Sequence, residues 1–123
     1  MHEKDKIVVV CGTFDPLDLE ELQLLQKCKQ KGDWLVVGVH SDWWMMWCHG
    51  GFVMNYQTRR EIIKNLKFVD EVFSFNDSDG TVCQLLKIVK ICYPDANITY
   101  VSNEDMHNMP ETKIKGITFE TMK

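Results

Sequence analysis

The chain has 123 residues with a formal net charge of −4, and 45% of its residues are hydrophobic while 26% are charged. This composition is typical of one globular domain and excludes a disordered or fibrous chain. Proteins that bind DNA or RNA are usually basic, so the acidic balance argues against nucleic-acid binding. One stretch is unusual, since three of the 4 tryptophans and two of the 7 methionines stand consecutively at 43–47.

The cysteines and the N-terminus indicate a cellular compartment. There are 5 cysteines, an odd number without a CxxC pair, which favours a reducing compartment over a disulfide framework. The charged first residues are followed by only a short apolar run, and no segment approaches the ~18 apolar residues of a membrane span. We therefore expect one cytoplasmic domain, residues 1–123, that does not enter a membrane.

In chain order, short apolar runs alternate with amphipathic segments. The runs predict strands at 7–11, 34–39, 71–75, 98–101 and 117–119. The amphipathic segments predict helices at 18–31 and 56–66, and a third helix that 79–81 opens and Pro94 stops. Asp18 and Glu21 match a capping box, and Asn55 is the predicted N-cap of the second helix. Strands separated by helices predict right-handed crossovers. The expected fold is therefore a Rossmann-like, three-layer α/β/α domain with a mainly parallel five-stranded sheet.

The same topology predicts where a ligand would bind. In open α/β sheets, ligands occupy the crevice outside the carboxyl ends of the strands. Three predicted loops lie at that edge: 13–18, 40–55 and 102–115. We expect the functional residues of the domain in these loops.

Several segments resemble, in order, the cytidylyltransferase family of the nucleotidyltransferase superfamily. The matching stretches are GTFD at 12–15, GDWLVVGVHSD at 32–42, RREII at 59–63 and VDEV at 69–72. Glycerol-3-phosphate cytidylyltransferase and its phosphocholine and phosphoethanolamine relatives are similar types. The resemblance implies the same fold. It also implies a reaction in which a phospho-alcohol attacks the α-phosphorus of CTP, with Mg²⁺ accompanying the triphosphate.

The sequence departs from this family at three places that would carry the reaction. The H-x-G-H positions read Asp18-Leu19-Glu20-Glu21; no Lys or Arg stands between 42 and 58, where relatives carry basic residues; and no R-T-x-G-I-S-T-like stretch follows Phe119. A carboxylate ~5 Å from a phosphate oxygen repels it by roughly 3 kcal/mol at an effective dielectric constant of 20. A helix N-terminus offers an anion at most ~2 kcal/mol. We therefore predict a catalytically impaired domain.

If nucleotide binding is retained, the resemblance assigns it to particular positions. Asp15 would organise the site, and Arg59, or Arg60 in a shifted register, would meet the triphosphate. The positions expected to contact the nucleotide are Gly12, Thr13, Phe14, Asn103 and Asp105. Under this alternative the protein is an active CTP-dependent nucleotidyltransferase that makes a CDP-alcohol, and Mg²⁺ screens the carboxylates.

The 43–47 run follows the second predicted strand. Neither a strand nor a helix could bury all five side chains, and exposed apolar patches mark interaction sites. We predict a binding rim for a protein partner or a small aromatic ligand, formed by Asp18, Glu20, Glu21, Trp43, Trp44, Met45, Met46, Trp47 and His49. A satellite core under the loop or a dimer contact is the alternative. Because the departures are concentrated at this rim, they favour selected or deliberate remodelling, engineering included.

Two further hypotheses concern metals and assembly. Asp15, Glu20, Glu21 and His49 could together hold Mn²⁺, Zn²⁺ or Fe²⁺, although no spacing within one element enforces it. A homodimer is expected from the resemblance, because relatives commonly form dimers. For His40, a hydrogen-bonded structural role is at least as consistent with the sequence as contact with a ligand.

Overall fold

A computed structural model describes residues 6–102 and 109–121. Five strands alternate with helices: β1 (Lys6–Gly12), α1 (Leu19–Gln30), β2 (Trp34–Val39), α2 (Asp42–His49), α3 (Tyr56–Lys64), β3 (Glu71–Phe73), α4 (Cys83–Cys92), β4 (Asn97–Ser102), a 3₁₀ turn (Pro110–Lys113) and β5 (Ile117–Thr121). The predicted order of strands and helices is confirmed, and α2 is added within the second predicted loop.

The five strands form one sheet in the order β3-β2-β1-β4-β5, and all four pairings are parallel. The predicted parallel α/β sheet is therefore confirmed. In chain order, β2 and β3 are added on one side of β1, and the chain then crosses over to add β4 and β5 on the other side. The crevice between the carboxyl ends of β1 and β4 is thus the topological switch point, where ligands of such folds bind.

The central strand β1 is buried on both faces. Val8 and Val10 face the side covered by α1 and α3, whereas Ile7 and Val9 face the side covered by α4. All four side chains are at most 2% exposed. An uninterrupted apolar run is what a parallel strand between two helical layers requires, so the three-layer prediction is also confirmed.

The predicted helix caps form as expected. The Asp18 carboxylate accepts from the Glu21 N–H at 2.8 Å, and Glu21 completes the capping box at α1. Asn55 caps α3 by accepting from the Thr58 N–H. Ile62, predicted to point inward, is 39% exposed, because the inward face of α3 is carried by Arg59 and Ile63, four residues apart.

The tryptophan-rich run forms the short helix α2. The Ser41 hydroxyl caps its first turn by accepting from the Trp44 N–H, and Gly50 ends it with a left-handed φ of 74°. A glycine adopts this conformation without steric cost. Within the described part of the chain, no helix is long and apolar enough to span a bilayer.

Candidate ligand-binding site

A cavity of about 480 Å³ opens at the carboxyl ends of β1 and β4, at the topological switch point. Residues from three strand ends line it, together with side chains from α1 and α2 and from the 3₁₀ turn. The lining residues that bear on its chemistry are Cys11, Gly12, Thr13, Phe14, Glu21, His40, Trp44, His49 and Glu111. The cavity therefore lies where the sequence predicted the site.

Cys11, His40 and Asp77 form a connected chain of polar contacts at this edge of the sheet. The Cys11 Sγ lies 3.3 Å from the His40 Nε2, and the His40 Nδ1 lies 3.0 Å from the Asp77 Oδ2. Asp77 also accepts from the N–H and the hydroxyl of Ser41, at 2.9 and 2.7 Å. The three residues come from the ends of β1, β2 and the segment after β3, so only the folded sheet brings them together.

The protonation states of this chain follow from its environment. Burial lowers the pKa of His40, and the hydrogen bond and charge of Asp77 only partly offset that effect. Burial would raise the pKa of Asp77, but the hydrogen bonds from Ser41 and His40 outweigh it, so the pKa is lowered. An ionised carboxylate can only accept, so a neutral His40 must donate its Nδ1–H to Asp77. The Nε2 is then an acceptor, and the Cys11 thiol is its donor.

Aromatic rings hold the imidazole in place. The Trp44 ring stacks on His40 with centroids 4.1 Å apart and planes 11° apart, and the Phe75 ring lies tilted against it at 5.4 Å. His40 is 7% exposed. Burial raises the pKa of the Cys11 thiol well above its usual value, and the nearby charges of Asp77 and Glu111 add to this. The resting pair is therefore a neutral thiol beside a neutral imidazole.

Glu111 places a buried carboxylate in the same cavity. Its Oε2 accepts from the Val82 N–H at 2.9 Å, but its Oε1 is buried with no hydrogen-bond partner among the described residues. Glu21 also lines the cavity, and burial raises its pKa. Among the described residues that line the cavity, none is Lys or Arg. The cavity is therefore acidic, and Glu111 offers a ligand an unused acceptor.

The prediction that Arg59 meets a triphosphate does not agree with its position. Arg59 is 0% exposed, and its guanidinium donates to the backbone carbonyls of Met54, Thr13 and His40 at 2.8–3.0 Å. Its remaining partner is the Asp42 carboxylate at 2.7 Å. Arg59 is thus an internal tie between the loops after β1 and β2. Arg60, the shifted-register candidate, lies outside the cavity and pairs with Glu61.

Asp15 also holds a loop rather than facing the cavity. Its two carboxylate oxygens accept from the N–H groups of Val53 and Met54 at 2.7 and 2.6 Å. Burial would raise the pKa of Asp15, but these two hydrogen bonds outweigh it, helped by the charge of Arg59, and the pKa is lowered. Asp15 thus joins the β1 loop to the segment before α3, and its role in organising a nucleotide site stays a prediction.

The remaining nucleotide candidates divide into two groups. Gly12, Thr13 and Phe14 line the cavity, and Phe14 has a positive φ of 52°. A Cβ at Gly12 would come within 2.7 Å of the Phe14 ring, so the GTF turn needs glycine there. Asn103 and Asp105 lie outside the described residues.

Only some of the side chains of the predicted rim are exposed. Trp43, Met46 and Trp47 are 47%, 56% and 62% exposed, and the Trp43 and Trp47 rings stack with centroids 5.4 Å apart. Met45 is only 4% exposed, because it lies on the inward face of α2. Trp44 is half-buried over His40. The exposed apolar surface of α2 is therefore Trp43, Met46 and Trp47, which we call the α2 surface.

The carboxylates and the histidine of the predicted rim do not all lie together either. Glu21 and His49 line the same cavity as Trp44. Asp18 and Glu20 are exposed on the first turn of α1 and do not line it. The predicted metal set of Asp15, Glu20, Glu21 and His49 does not assemble. Within residues 6–102 and 109–121, no three His, Cys, Asp or Glu side chains are placed to hold a metal ion.

Sequence reasoning missed the roles of Asp77 and Glu111. Cys11 and His40 carried a usable signal, because each stands at or just beyond the end of a neighbouring predicted strand. Asp77 and Glu111 stand in irregular segments, and their spacing to the other site residues had no periodic pattern. Only the crossover connections determine that they reach the same edge of the sheet.

Comparison with known proteins agrees with this fold. A family model described as Cytidylyltransferase-like matches residues 9–119. The glycerol-3-phosphate cytidylyltransferase of Bacillus subtilis (strain 168) is 36% identical over 67 residues, which are 54% of this chain and 52% of that protein. The FAD synthase of Thermococcus sibiricus (strain DSM 12597 / MM 739) is 37% identical over 97 residues, 77% of this chain and 63% of that protein.

Two further comparisons concern coverage and fold. The ethanolamine-phosphate cytidylyltransferase of Dictyostelium discoideum is 38% identical over 71 residues, 58% of this chain but 20% of that protein. The match to the Bacillus subtilis protein spans about half of that relative's length. Among solved structures, the lipopolysaccharide core biosynthesis protein from Thermoplasma volcanium GSS1 superposes with a TM-score of 0.70 at 21% identity, covering 95% of this chain and 96% of that one. This last likeness shows the fold.

Proposed function

Because the chain belongs to the cytidylyltransferase-like family, we propose that it is a member impaired in nucleotidyl transfer that uses the family's ligand site for binding. The bound group is aromatic and is presented either by a small ligand or by a protein partner. It would meet the α2 surface and the adjoining cavity. The observation that carries the proposal is the acidic lining of that cavity.

Electrostatics oppose a triphosphate at this position. Glu21 and Glu111 both line the cavity, and the described lining has no cationic side chain to offset them. A carboxylate ~5 Å from a phosphate oxygen costs roughly 3 kcal/mol at an effective dielectric constant of 20. At the start of α1, the Glu21 N–H already donates to Asp18, so this donor is not available to a phosphate. Nucleotidyl transfer depends on cationic and N–H groups that stabilise phosphate charge, so impairment is the expected result.

The aromatic helix supports a binding role. Trp43 and Trp47 expose two stacked rings on the same helix as Trp44 and His49, which line the cavity. Exposed tryptophan provides a large contact area at low cost in side-chain entropy, and methionine adapts to irregular partners. An aromatic group could stack on the α2 surface without having to approach the carboxylates closely.

The test is a binding titration with a double variant, Trp43→Ala with Trp47→Ala. Isothermal titration with indole probes a small aromatic ligand, and cross-linking followed by mass spectrometry probes a protein partner. Both signals should be lost in the double variant and kept in Ile91→Ala, which removes an even more exposed apolar side chain at the last turn of α4. Equal binding by the double variant and the Ile91 variant would refute the assignment to α2.

An active CTP-dependent nucleotidyltransferase is the second candidate function. It is favoured by the family match over residues 9–119 and by the cavity at the switch point. Within residues 6–102 and 109–121, no three His, Cys, Asp or Glu side chains are placed to hold a metal ion, and Mg²⁺ is usually bound through one or two carboxylates together with substrate phosphates. Millimolar CTP with Mg²⁺, with glycerol 3-phosphate or phosphoethanolamine as acceptor, should then raise the melting temperature and release pyrophosphate. Neither effect is expected for an impaired member.

Location and assembly complete the proposal. The five cysteines are all free, which suits a reducing compartment such as the cytoplasm. A homodimer stays a prediction, and light scattering on the purified chain measures it directly. The origin of the remodelled rim, by selection or by design, also stays a prediction from the sequence.

A further inference from the structure

The Cys11–His40–Asp77 chain has the geometry of a nucleophile, its base and an orienting carboxylate. The thiol lies within hydrogen-bond reach of the His40 Nε2, and Asp77 holds the opposite ring nitrogen. Asp77 is itself fixed by two hydrogen bonds from Ser41. A base that is oriented by a third group is the arrangement that activates a side-chain nucleophile. Cys48 and His49, which are adjacent in sequence, have no such third partner among the contacts described.

The imidazole is set to accept the proton of the thiol. Its Nδ1–H is directed at Asp77, so the lone pair of Nε2 faces Cys11. Stacking on Trp44 keeps the ring in that orientation. The backbone N–H of Gly12 favours the charged form of Cys11 and partly opposes the effect of burial on its pKa. These contacts would stabilise negative charge on sulfur at the moment when the proton moves to His40.

The cavity indicates which reagents could reach this thiol. Cys11 lines it and is half-buried rather than enclosed. Glu111 lines the same cavity, and no described residue hydrogen-bonds its buried Oε1, so this carboxylate keeps acceptor capacity for an N–H donor. Glu21 adds a second carboxylate to the lining. A neutral or cationic molecule with N–H groups fits this lining, whereas an anion does not.

We propose that Cys11, His40 and Asp77 form a nucleophilic thiol site for small carbon electrophiles that carry N–H donors and no negative charge. In the reaction, a bond forms between the Cys11 sulfur and the electrophilic carbon. The bond from that carbon to the leaving group breaks, and the leaving group departs with its electron pair. The thiol proton passes to the His40 Nε2 and then to solvent. Cys11 and His40 act on the reacting atoms, and Asp77 is a positioning residue.

Iodoacetamide is the probe, because it is small and neutral and carries an amide N–H₂. Its reaction forms the S–C bond, breaks the C–I bond and releases iodide. Trypsin places each of the five cysteines in a separate peptide, and Cys11 falls in the peptide 7–27. Mass spectrometry of quenched time points therefore gives a rate for each thiol in the intact folded chain. Cys92 is an exposed control and Cys28 a buried one.

The pH profile of the wild-type chain is the decisive measurement. An unassisted thiol below its pKa reacts about tenfold faster for each pH unit, because only the thiolate reacts. With His40 as general base, the Cys11 rate should instead be level above pH ~7 and fall only below the ordinary imidazole pKa of about 6.5. The pKa of Cys11 is affected by the charges of Asp77 and Glu111, and the pKa of His40 by those of Asp77, Arg59 and His49. These charges therefore set the pH below which the Cys11 rate falls, the acid limb of the profile. A tenfold rise per unit at Cys11, or no labelling of it, overturns the proposal.

Two variants distinguish activation of the Cys11 thiol by His40 from simple access of the reagent to the thiol. His40→Gln should slow Cys11 labelling at pH 7 by about 100-fold and restore the steep pH profile. Asp77→Asn should shift the acid limb of the profile, which a purely structural role of Asp77 would leave in place. Equal wild-type and His40→Gln rates, in variants with native circular dichroism, would contradict the assignment.

A second probe tests the ligand class and separates this site from the proposed function. Iodoacetate carries a carboxylate, so the ratio of iodoacetamide to iodoacetate rates should be about tenfold or more higher at Cys11 than at Cys92. Equal ratios would refute the preference for neutral electrophiles. The labelling does not require the α2 surface, so it should persist in the Trp43→Ala, Trp47→Ala variant even where aromatic binding is lost.

Discussion

Replacement of Arg59 should reduce stability strongly, because this residue is an internal tie and not a free phosphate ligand. Its guanidinium is fully buried and bonds to three backbone carbonyls and one carboxylate. Arg59→Met keeps most of the volume of the side chain but removes every donor. The carbonyls of Thr13, Met54 and His40 then lose this partner in the interior.

The size of the effect follows from those partners. A buried polar group left without its hydrogen bond costs about 1–3 kcal/mol, and breaking one side of a buried ion pair costs about 3–5 kcal/mol. The Asp42 side chain is 38% exposed, so water can solvate its carboxylate and the ionic part is reduced. We expect a loss of about 3 kcal/mol in the free energy of unfolding. With a urea m-value of about 1.5 kcal/mol/M, the midpoint falls by about 2 M.

Urea denaturation followed by circular dichroism measures this loss. Arg60→Met is the matched control on the same helix, because Arg60 makes an exposed pair with Glu61 and its loss should change the midpoint little. Arg59→Lys keeps the charge, but a single ammonium cannot replace the several N–H donors of the planar guanidinium. We therefore expect an intermediate loss in the free energy of unfolding. If Arg59→Met and Arg60→Met unfolded at the same urea concentration, the internal-tie interpretation would be wrong.

Three further predictions address the loop, the aromatic helix and the buried histidine. Asp15→Asn replaces one acceptor oxygen by a donor, so the amides of Val53 and Met54 should exchange hydrogen faster, while the α1 amides stay unchanged; unaltered exchange at 53 and 54 would contradict the clamp. Trp44→Ala should lower the melting temperature more than Trp43→Ala, because Trp44 packs on His40 whereas Trp43 is 47% exposed; the reverse order in calorimetry would count against the stacking geometry. The folded-state pKa of His40 is lowered, so the unfolded chain binds the extra proton first and stability falls as pH drops below about 6.5 towards that folded pKa. Between pH 7.5 and 5.5, the melting temperature should fall more with decreasing pH for the wild type than for His40→Gln. An equal fall in both would exclude His40 as the source of the pH dependence.

The fold could be predicted closely because its signals are local and periodic. The apolar run of β1 and the capping box at Asp18 and Glu21 each depend on a few neighbouring residues, and both form as predicted. The burial of the 43–47 run was harder to predict. Its composition showed that some side chains must be exposed, but the helical phase of α2 decided that Met45 is buried and Met46 is not.

The sequence predicted where the candidate site lies, but not which side chains face it or what they bind. Asp15 and Arg59 occupy the positions that the resemblance implied, yet both are engaged in ties between loops, and the sequence does not reveal hydrogen-bond partners 38 to 46 residues away. The sequence assigned no role to Glu111. Its burial depends on the packing of the 3₁₀ turn against α4, which has no signature in the surrounding residues.

The sequence by itself determined the strand and helix order, the parallel sheet, the edge at which a ligand would bind, and the lack of Lys and Arg from 43 to 57. These properties depend on local periodicity and on composition. Tertiary structure alone decided that Arg59 is buried, that Trp44 covers His40, and that His40 contacts both Cys11 and Asp77. Parallel strands require long crossover connections, so the residues that meet at their carboxyl ends are remote in sequence, and only the register of the folded sheet selects which of them come into contact.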